Sequence, residues 1–269
     1  MINQTESVKE RKGTRQNLSI GKALHVIEIM AAQGGPMKLQ DIATAAGMPA
    51  STTLRFLTTL KEQGYVNQVP ETAQYFLTMK FCRIGDQISR QIRIRDVIHP
   101  YLRELSREFG ESVSLAIEQN FNVVYIDVVD GPDHMLQTLQ RIGKVAPLHG
   151  TGVGKCLLSG FDSVRLEEMI RKQGLPPLTS NTLRTRESLL EELEKVRHEG
   201  WAMDNEECEI GARCIAAPIR DYSGKIIAAL STSGPVFRMT EEKMEQIKRK
   251  LTQAVKEISY LLGYEEGKP

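Results

Sequence analysis

Residues 39–64, "LQDIATAAGMPASTTLRFLTTLKEQG", restrict the fold more than any other stretch of the chain. Leu39, Ile42, Ala43 and Ala46 return at helical spacing and predict a short amphipathic helix. Gly47 follows where the chain must turn, Pro49 suits a helix start, and Ser51 suits the cap or the first turn. Leu54, Leu57 and Leu60 then mark the inward stripe of a second helix. Two short helices joined by a tight glycine-containing turn form a helix-turn-helix. The preceding "SIGKALHVIEIMAAQGG" (19–35) predicts a further helix with Ile20, Leu24, Ile27 and Met30 on one face, ended by Gly34 and Gly35. The following "YVNQVPETAQYFL" (65–77) contains two β-rich runs around a proline turn. Three helices and a hairpin give a winged helix-turn-helix over residues 18–78.

A helix of this kind presents its first turns to base edges and phosphates when it enters a major groove. Ser51, Thr52, Thr53 and Arg55 occupy those turns, and an arginine can take guanine bidentately. Charge points the same way. Residues 1–95 hold 13 Lys/Arg against 7 Asp/Glu, whereas residues 96–269 hold 22 against 27. A basic first third on an acidic remainder suits a nucleic-acid reader attached to something else, and with the helix-turn-helix its partner is expected to be double-stranded DNA. Residues 1–17 form a basic arm expected to be flexible; its Lys9, Arg11, Lys12 and Arg15 suit non-specific phosphate contact. Asn67, Gln68 and Gln74 of the wing suit either a backbone or minor-groove contact or plain solvation.

Residues 147–156, "PLHGTGVGKC", raise a competing reading, because three glycines surround a lysine as in nucleotide-binding loops. The pattern G-x-x-x-x-G-K-[ST] fails at both ends. His149 stands where the first glycine belongs, and Cys156, a poor ligand for a hard cation, replaces the hydroxyl. Pro147 also argues against a buried strand feeding the loop. The four cysteines are too few and too scattered for a disulfide scaffold, and Cys82 and Cys156 read as small, partly buried hydrophobes. No zinc-ligand spacing occurs, so no metal or cofactor is expected. No run of 18 apolar residues exists and the first residues lack an apolar signal region, so no membrane partner and a cytoplasmic location are expected.

Residues 79–95 predict a linker helix with spaced Ile84, Ile88 and Ile92, suited to a dimer seam. A helix through Phe109 precedes strands at 112–119 and 122–129, which turn at Asn120-Phe121. Strands at 214–221 and 225–234 turn at Tyr222-Ser223-Gly224, and helices are predicted at 162–173, 186–199 and 240–262. An antiparallel sheet with flanking helices over 96–269 makes the fold class α+β.

With these elements placed, the chain resembles an IclR-family transcriptional regulator from about residue 18 to 263. Three segments carry the likeness: "LQDIATAAGMPASTTLRFLTTLKEQGYV", "PLHGTGVGKCLL", and "GWAMDNEECEIGARCIAAPIRD" followed by "LSTSGP". The resemblance implies a GAF-like effector domain whose Gly-rich loop lines a pocket for small organic molecules, often carboxylates. It assigns Gly152 and Val153 of that loop, with Asp204, Cys214, Ser231 and Ser233 across the pocket and Met135 and Ala146 as walls. It also implies a homodimer or a tetramer built as a dimer of dimers, a palindromic operator, and regulation by repression. The physics agrees in part: Gly152, Val153 and Gly154 let amides approach an anion, and Ser231 and Ser233 alternate on one strand face. The chain departs from the family at Gly150, where alanine is frequent.

Read without the family, Asp204 sits in an acidic "DNEE" run, and such runs are usually solvated. Lys155 suits a pairing with an acidic neighbour or support of its helix, His149 a hydrogen bond within the loop, and Trp201 the core. Two other function classes stay open at this point. One is an enzyme with Cys214 or Cys156 as nucleophile beside His149, although no local base motif accompanies either thiol. The other is a DNA-binding assembly protein whose second domain only oligomerises.

Overall fold

The computed structural model describes residues 18–91, 94–132 and 140–265. The chain divides into two compact units, residues 1–91 and 92–269. The expected basic arm and Met135 lie outside the described residues, as does Ile92.

The first unit is a three-helix bundle with a wing. Helices α1 (Leu18–Gln33), α2 (Leu39–Ala45) and α3 (Ala50–Glu62) precede a hairpin of β1 (Val66–Gln68) and β2 (Tyr75–Leu77). Met37 adds an isolated bridge to Tyr75. Gly47 turns the chain between α2 and α3 at φ +61°, a conformation that side chains disfavour. The core gathers Val26, Met30, Ile42, Leu57, Val66 and Tyr75. Helix α4 (Lys80–Gln91) follows, with Phe81 packed on Tyr65 and the Lys80 ammonium over the same ring.

Two inward faces differ from the sequence reading. In α1 the core receives Val26 and Met30, while Ile20 and Leu24 are 59% and 54% exposed. In α3 the core receives Thr53 and Leu57, and Leu54 is 40% exposed. Apolar spacing alone misplaced the stripe because a threonine takes an inward position; its hydroxyl donates to the Pro49 carbonyl at 3.2 Å.

In the second unit, α5 (Ile94–Phe109) leads into β3 (Ser112–Gln119) and β4 (Asn122–Val129). Asn120 and Phe121 join them at φ +53° and +60°, a two-residue turn whose twist suits a hairpin. There follow β5 (Val145–Pro147), α6 (Gly152–Leu158), α7 (Ser163–Gln173) and α8 (Arg186–Glu199). The unit closes with β6 (Ala202–Asn205), β7 (Ala212–Arg220), β8 (Ile226–Pro235) and α9 (Glu241–Leu261). The six strands form one antiparallel sheet in the order β5-β4-β3-β8-β7-β6. Side chains of Asp162, Thr185 and Thr240 cap α7, α8 and α9 by accepting from backbone amides.

Alternation along the strands separates two cores. Val113, Leu115, Ile215, Ile219 and Leu230 pack beneath α5 and α9. Ala116, Val123, Tyr125, Ala202, Ala216 and Ala229 pack beneath α6, α7 and α8. Between Leu115 and Ala116 the register to β4 shifts by one, so that Leu115 pairs with Asp127 but Ala116 with Tyr125. Ile126 is the extra residue of this bulge.

Candidate functional site

The Gly-rich segment is mostly helix. Val145–Pro147 is a short edge strand, which tolerates the proline because only edge positions can. Thr151 then caps α6, its hydroxyl accepting from the Gly154 amide at 3.1 Å. Gly152, Val153 and Gly154 form the first turn of that helix and are buried. Their glycines serve close packing. A Cβ on Gly152 would stand 2.8 Å from the Cys214 sulfur and 3.3 Å from the Ala216 Cβ, and one on Gly154 would collide with the Leu148 carbonyl. Helix α6 therefore lies against the sheet at a distance that only glycine permits.

Lys155, on the same helix, is 1% exposed. Its ammonium reaches Glu207 at 2.7 Å and Glu192 at 3.1 Å. Burial opposes the charge, but the two carboxylates together hold the ammonium above its usual pKa. The second oxygen of Glu207 is buried with no hydrogen-bond partner among the described residues. His149 bonds the carbonyl of Pro176 at 3.0 Å, outside its own loop, and burial lowers its pKa. Neither residue resembles phosphate-binding machinery.

The acidic run at 204–207 is not solvated. Asp204 lies in β6 and is buried, as is Glu207. One Asp204 oxygen accepts the Glu207 amide at 2.7 Å and the Cys208 amide at 3.2 Å, which closes the turn after the strand. Burial raises the carboxyl, those amides lower it in part, and the net result is a pKa of about 6. The signal was obscured because Asp204 is the only acid of a four-residue strand, and Glu206 and Glu207 follow it in the turn.

Register brings the expected residues onto one face. Asp204 pairs with Cys214, Cys214 with Ser233, and Ser233 with Ser112. In the neighbouring row Ala202 pairs with Ala216, Ala216 with Ser231, and Ser231 with Ser114. The α6–α8 face of the sheet is thus apolar at one end and carries hydroxyls, a thiol and a carboxyl at the other. Ser114 and Ser231 share a hydrogen bond at 2.9 Å. Gln140, in the connection between β4 and β5, donates to Ser233 at 3.1 Å. Ala146 sits in β5 opposite Val123. Tyr125 is buried on the same face, and burial together with Cys214, Cys208 and Asp204 raises its phenol pKa. Sequence reading missed Ser114, Tyr125 and Gln140. The alternation of Ser112 and Ser114 mirrors that of Ser231 and Ser233 and was a usable signal, whereas nothing local marked Gln140.

The thiols are poor nucleophiles. Burial pushes Cys214 up to about 12 and Cys156 well above its usual value. Cys82, expected to be partly buried, is exposed. Trp201 is half-buried against the α5/α9 core, under the Lys248 ammonium. Among the described residues, no cluster of His, Cys, Asp and Glu is arranged to hold a metal, and no helix is long and apolar enough to cross a membrane.

In the first unit, Ser51 and Arg55 are exposed at the start of α3, and Thr52 is half-buried. Thr53 is a correction to the expected groove-facing set, since it is 0% exposed and its hydroxyl is spent within the helix. Gln68 is also committed to the wing, accepting from Lys61 and donating to the Ala73 carbonyl.

Comparison with known proteins adds two family matches. The description "Bacterial transcriptional regulator IclR C-terminal" matches residues 87–260, and "IclR helix-turn-helix domain" matches residues 19–70. Transcriptional repressor IclR of Escherichia coli K12 is 31% identical over 96% of this chain and 94% of its own length. HTH-type transcriptional regulator KdgR of the same organism is 34% identical over 94% and 96%. A crystal structure of Thermotoga maritima IclR is 32% identical over 93% of this chain and 100% of that chain, with a TM-score of 0.61. The Agrobacterium tumefaciens repressor BlcR, 22% identical, covers 94% and 100% with a TM-score of 0.74 and speaks for the fold alone.

Proposed function

The chain belongs to the IclR family of transcriptional regulators, DNA-binding proteins rather than enzymes, and on that premise we propose that it is a repressor whose operator affinity is set by a small organic acid. The observation that carries this reading is the polar end of the α6–α8 sheet face, where Asp204, Cys214, Ser231 and Ser233 converge. Hydroxyls at Ser231 and Ser233 can donate to a carboxylate, whose burial without such partners is costly. Asp204 repels an anion when ionised, so it faces a hydroxyl or a hydrated carbonyl of a hydroxy- or keto-acid. Gly152 and Val153 shape the site from α6, and Ala146 forms its wall.

Ser51, Thr52 and Arg55 contact DNA from α3, and the protein binds a two-fold operator as a homodimer or a dimer of dimers. The acid need alter operator affinity by only about 1–3 kcal/mol to be regulatory. The test uses operator DNA selected by the protein from a random-sequence pool and a panel of small carboxylates. An acid at 100 times its Kd should add about 2.7 kcal/mol of stability and change operator affinity. The paired substitution Ser231→Ala/Ser233→Ala should abolish that response and leave ligand-free DNA binding intact. A double variant that responds at wild-type concentrations would remove both serines from the site.

A further inference from the structure

Hydrogen-bond accounting at the polar end of the sheet face says more about the ligand than that it is an acid. Ser233 accepts from the Gln140 amide nitrogen, so its own hydrogen remains to be donated. Ser114 and Ser231 spend one hydrogen on each other and keep the second. This corner therefore offers two donors, which suits a carboxylate. The acceptors lie to either side. The Gln140 carboxamide oxygen is screened from solvent with no hydrogen-bond partner among the described residues, and buried acceptors are seldom left in that state. At the other end, one Asp204 oxygen is filled by two amides, and the carboxylate has a second that can accept only. Ser233 and Asp204 sit on β8 and β6, two strands apart, and so about 10 Å from each other.

We propose that the ligand is a polyhydroxylated acid and that Gln140 is a residue that selects it. The inference rests on the effector reading above and narrows it. The carboxylate meets the serine hydroxyls, a hydroxyl near it donates to the Gln140 oxygen, and a hydroxyl at the far end donates to Asp204. A keto group donates nothing, and a short hydroxy acid has neither the length nor the donors for both acceptors.

The test compares the full chain and its Gln140→Leu variant on the selected operator DNA. The probes are D-gluconate, D-galactonate and D-glucuronate, set against hexanoate, which has similar length and no hydroxyl, and against L-lactate and pyruvate. Operator affinity and melting temperature are read for each. At least one sugar acid should act at concentrations about tenfold or more below hexanoate and lactate. Gln140→Leu should weaken that acid by about tenfold, weaken lactate less because lactate meets only the serine end, and leave the ligand-free operator affinity unchanged. Gln140→Asn, which keeps the carboxamide, should recover part of the loss. Hexanoate, lactate or pyruvate acting at or below the concentrations of every sugar acid would overturn the inference while the effector reading stands. An unchanged sugar-acid response in Gln140→Leu would overturn it likewise. A fall in the ligand-free melting temperature that accounts for the lost response would make Gln140 a structural residue and overturn its selecting role. If no carboxylate of any kind acts, the effector reading itself falls and takes the inference with it.

Discussion

The two faces of the six-stranded sheet are built from the same strands and do opposite things. Toward α5 and α9 the strands present Val113, Leu115, Ile215, Ile219 and Leu230, met by Ile98, Leu102, Ile247, Leu251 and Ile258. Toward α6–α8 they present Ala116, Ala202, Ala216 and Ala229, then Ser114, Ser231, Ser233, Cys214 and Asp204. Large branched side chains fill space and hold their helices away from the strands. Small ones admit a helix backbone, a buried ammonium and polar groups with unspent hydrogen-bonding capacity. One face secures the domain, and the other can afford a site.

The comparison is most easily broken where the small-residue face is tightest. Gly154→Val would force a branched side chain against the Leu148 carbonyl, which cannot swing aside. We expect a loss of about 4 kcal/mol or more, seen as an unfolded or insoluble protein in a denaturant titration. A stable variant would show that α6 is free to move off the sheet.

The next largest effect concerns the buried charge. Lys155→Met strips Glu207 and Glu192 of their shared cation and should cost about 3 kcal/mol at neutral pH. The penalty should shrink on acidification as the abandoned carboxylates take up protons. Leu230→Ala on the opposite face should cost a comparable amount, about 2–4 kcal/mol, but with no dependence on pH. Equal pH profiles for the two variants would erase the distinction drawn between the faces.

Asp204 sharpens the contrast further. Its pKa rises from 3.8 unfolded to about 6 folded, so the folded state holds the extra proton between those values. The stability it contributes is full below about pH 4 and is lost as pH rises through about 6. The wild type should therefore lose about 2 kcal/mol relative to Asp204→Asn between pH 4 and 7. A constant difference between the two unfolding curves across that range would show Asp204 to be ordinarily solvated.

The smallest effect carries the same logic to α3, which also has a closed side and an open one. Arg55→Ala should weaken specific operator binding by about 1–3 kcal/mol with little change in stability. Thr53→Val should do the reverse, costing about 1 kcal/mol of stability through the lost bond to Pro49 and leaving operator affinity alone. If Thr53→Val impairs binding as much as Arg55→Ala does, α3 is misoriented in this account.

The central strands were legible in the sequence because alternation and turn chemistry agreed. Runs at 112–119 and 122–129 coincide with β3 and β4, and the Asn120-Phe121 turn falls between them. Short edge strands gave no such agreement. β5 ends on Pro147, and β6 hides in an acidic run, so hydrogen bonding to a neighbour rather than local preference makes them strands. The glycines of α6 suggested a loop because helix propensity penalises them, and the packing that requires them comes from Cys214, Ala216 and Leu148. The partners of Lys155 lie 37 and 52 residues away, beyond any local pattern. Of the residues assigned to the proposed site, Ser231 and Ser233 could be placed on one face of β8 in advance, whereas Gln140 lies outside any strand and meets Ser233 only in the folded chain.

The extra residue in β4 decides which way its neighbours look. Beyond the register shift Tyr125 faces α6–α8, and before it Asp127 faces α5, where Arg95 and His99 hold it at 3.2 and 2.8 Å. In an unbroken strand, two residues of the same parity would share a side. Loss of Ile126 alone would make the two adjacent, and neighbours in an unbroken strand point to opposite sides, so Tyr125 would keep its face and Asp127 its cationic clasp while β4 lost one residue. In a chain that lacked this residue, the side chains on either side of the gap would thus keep their surfaces, and what would be lost is the local twist that the bulge adds to the strand.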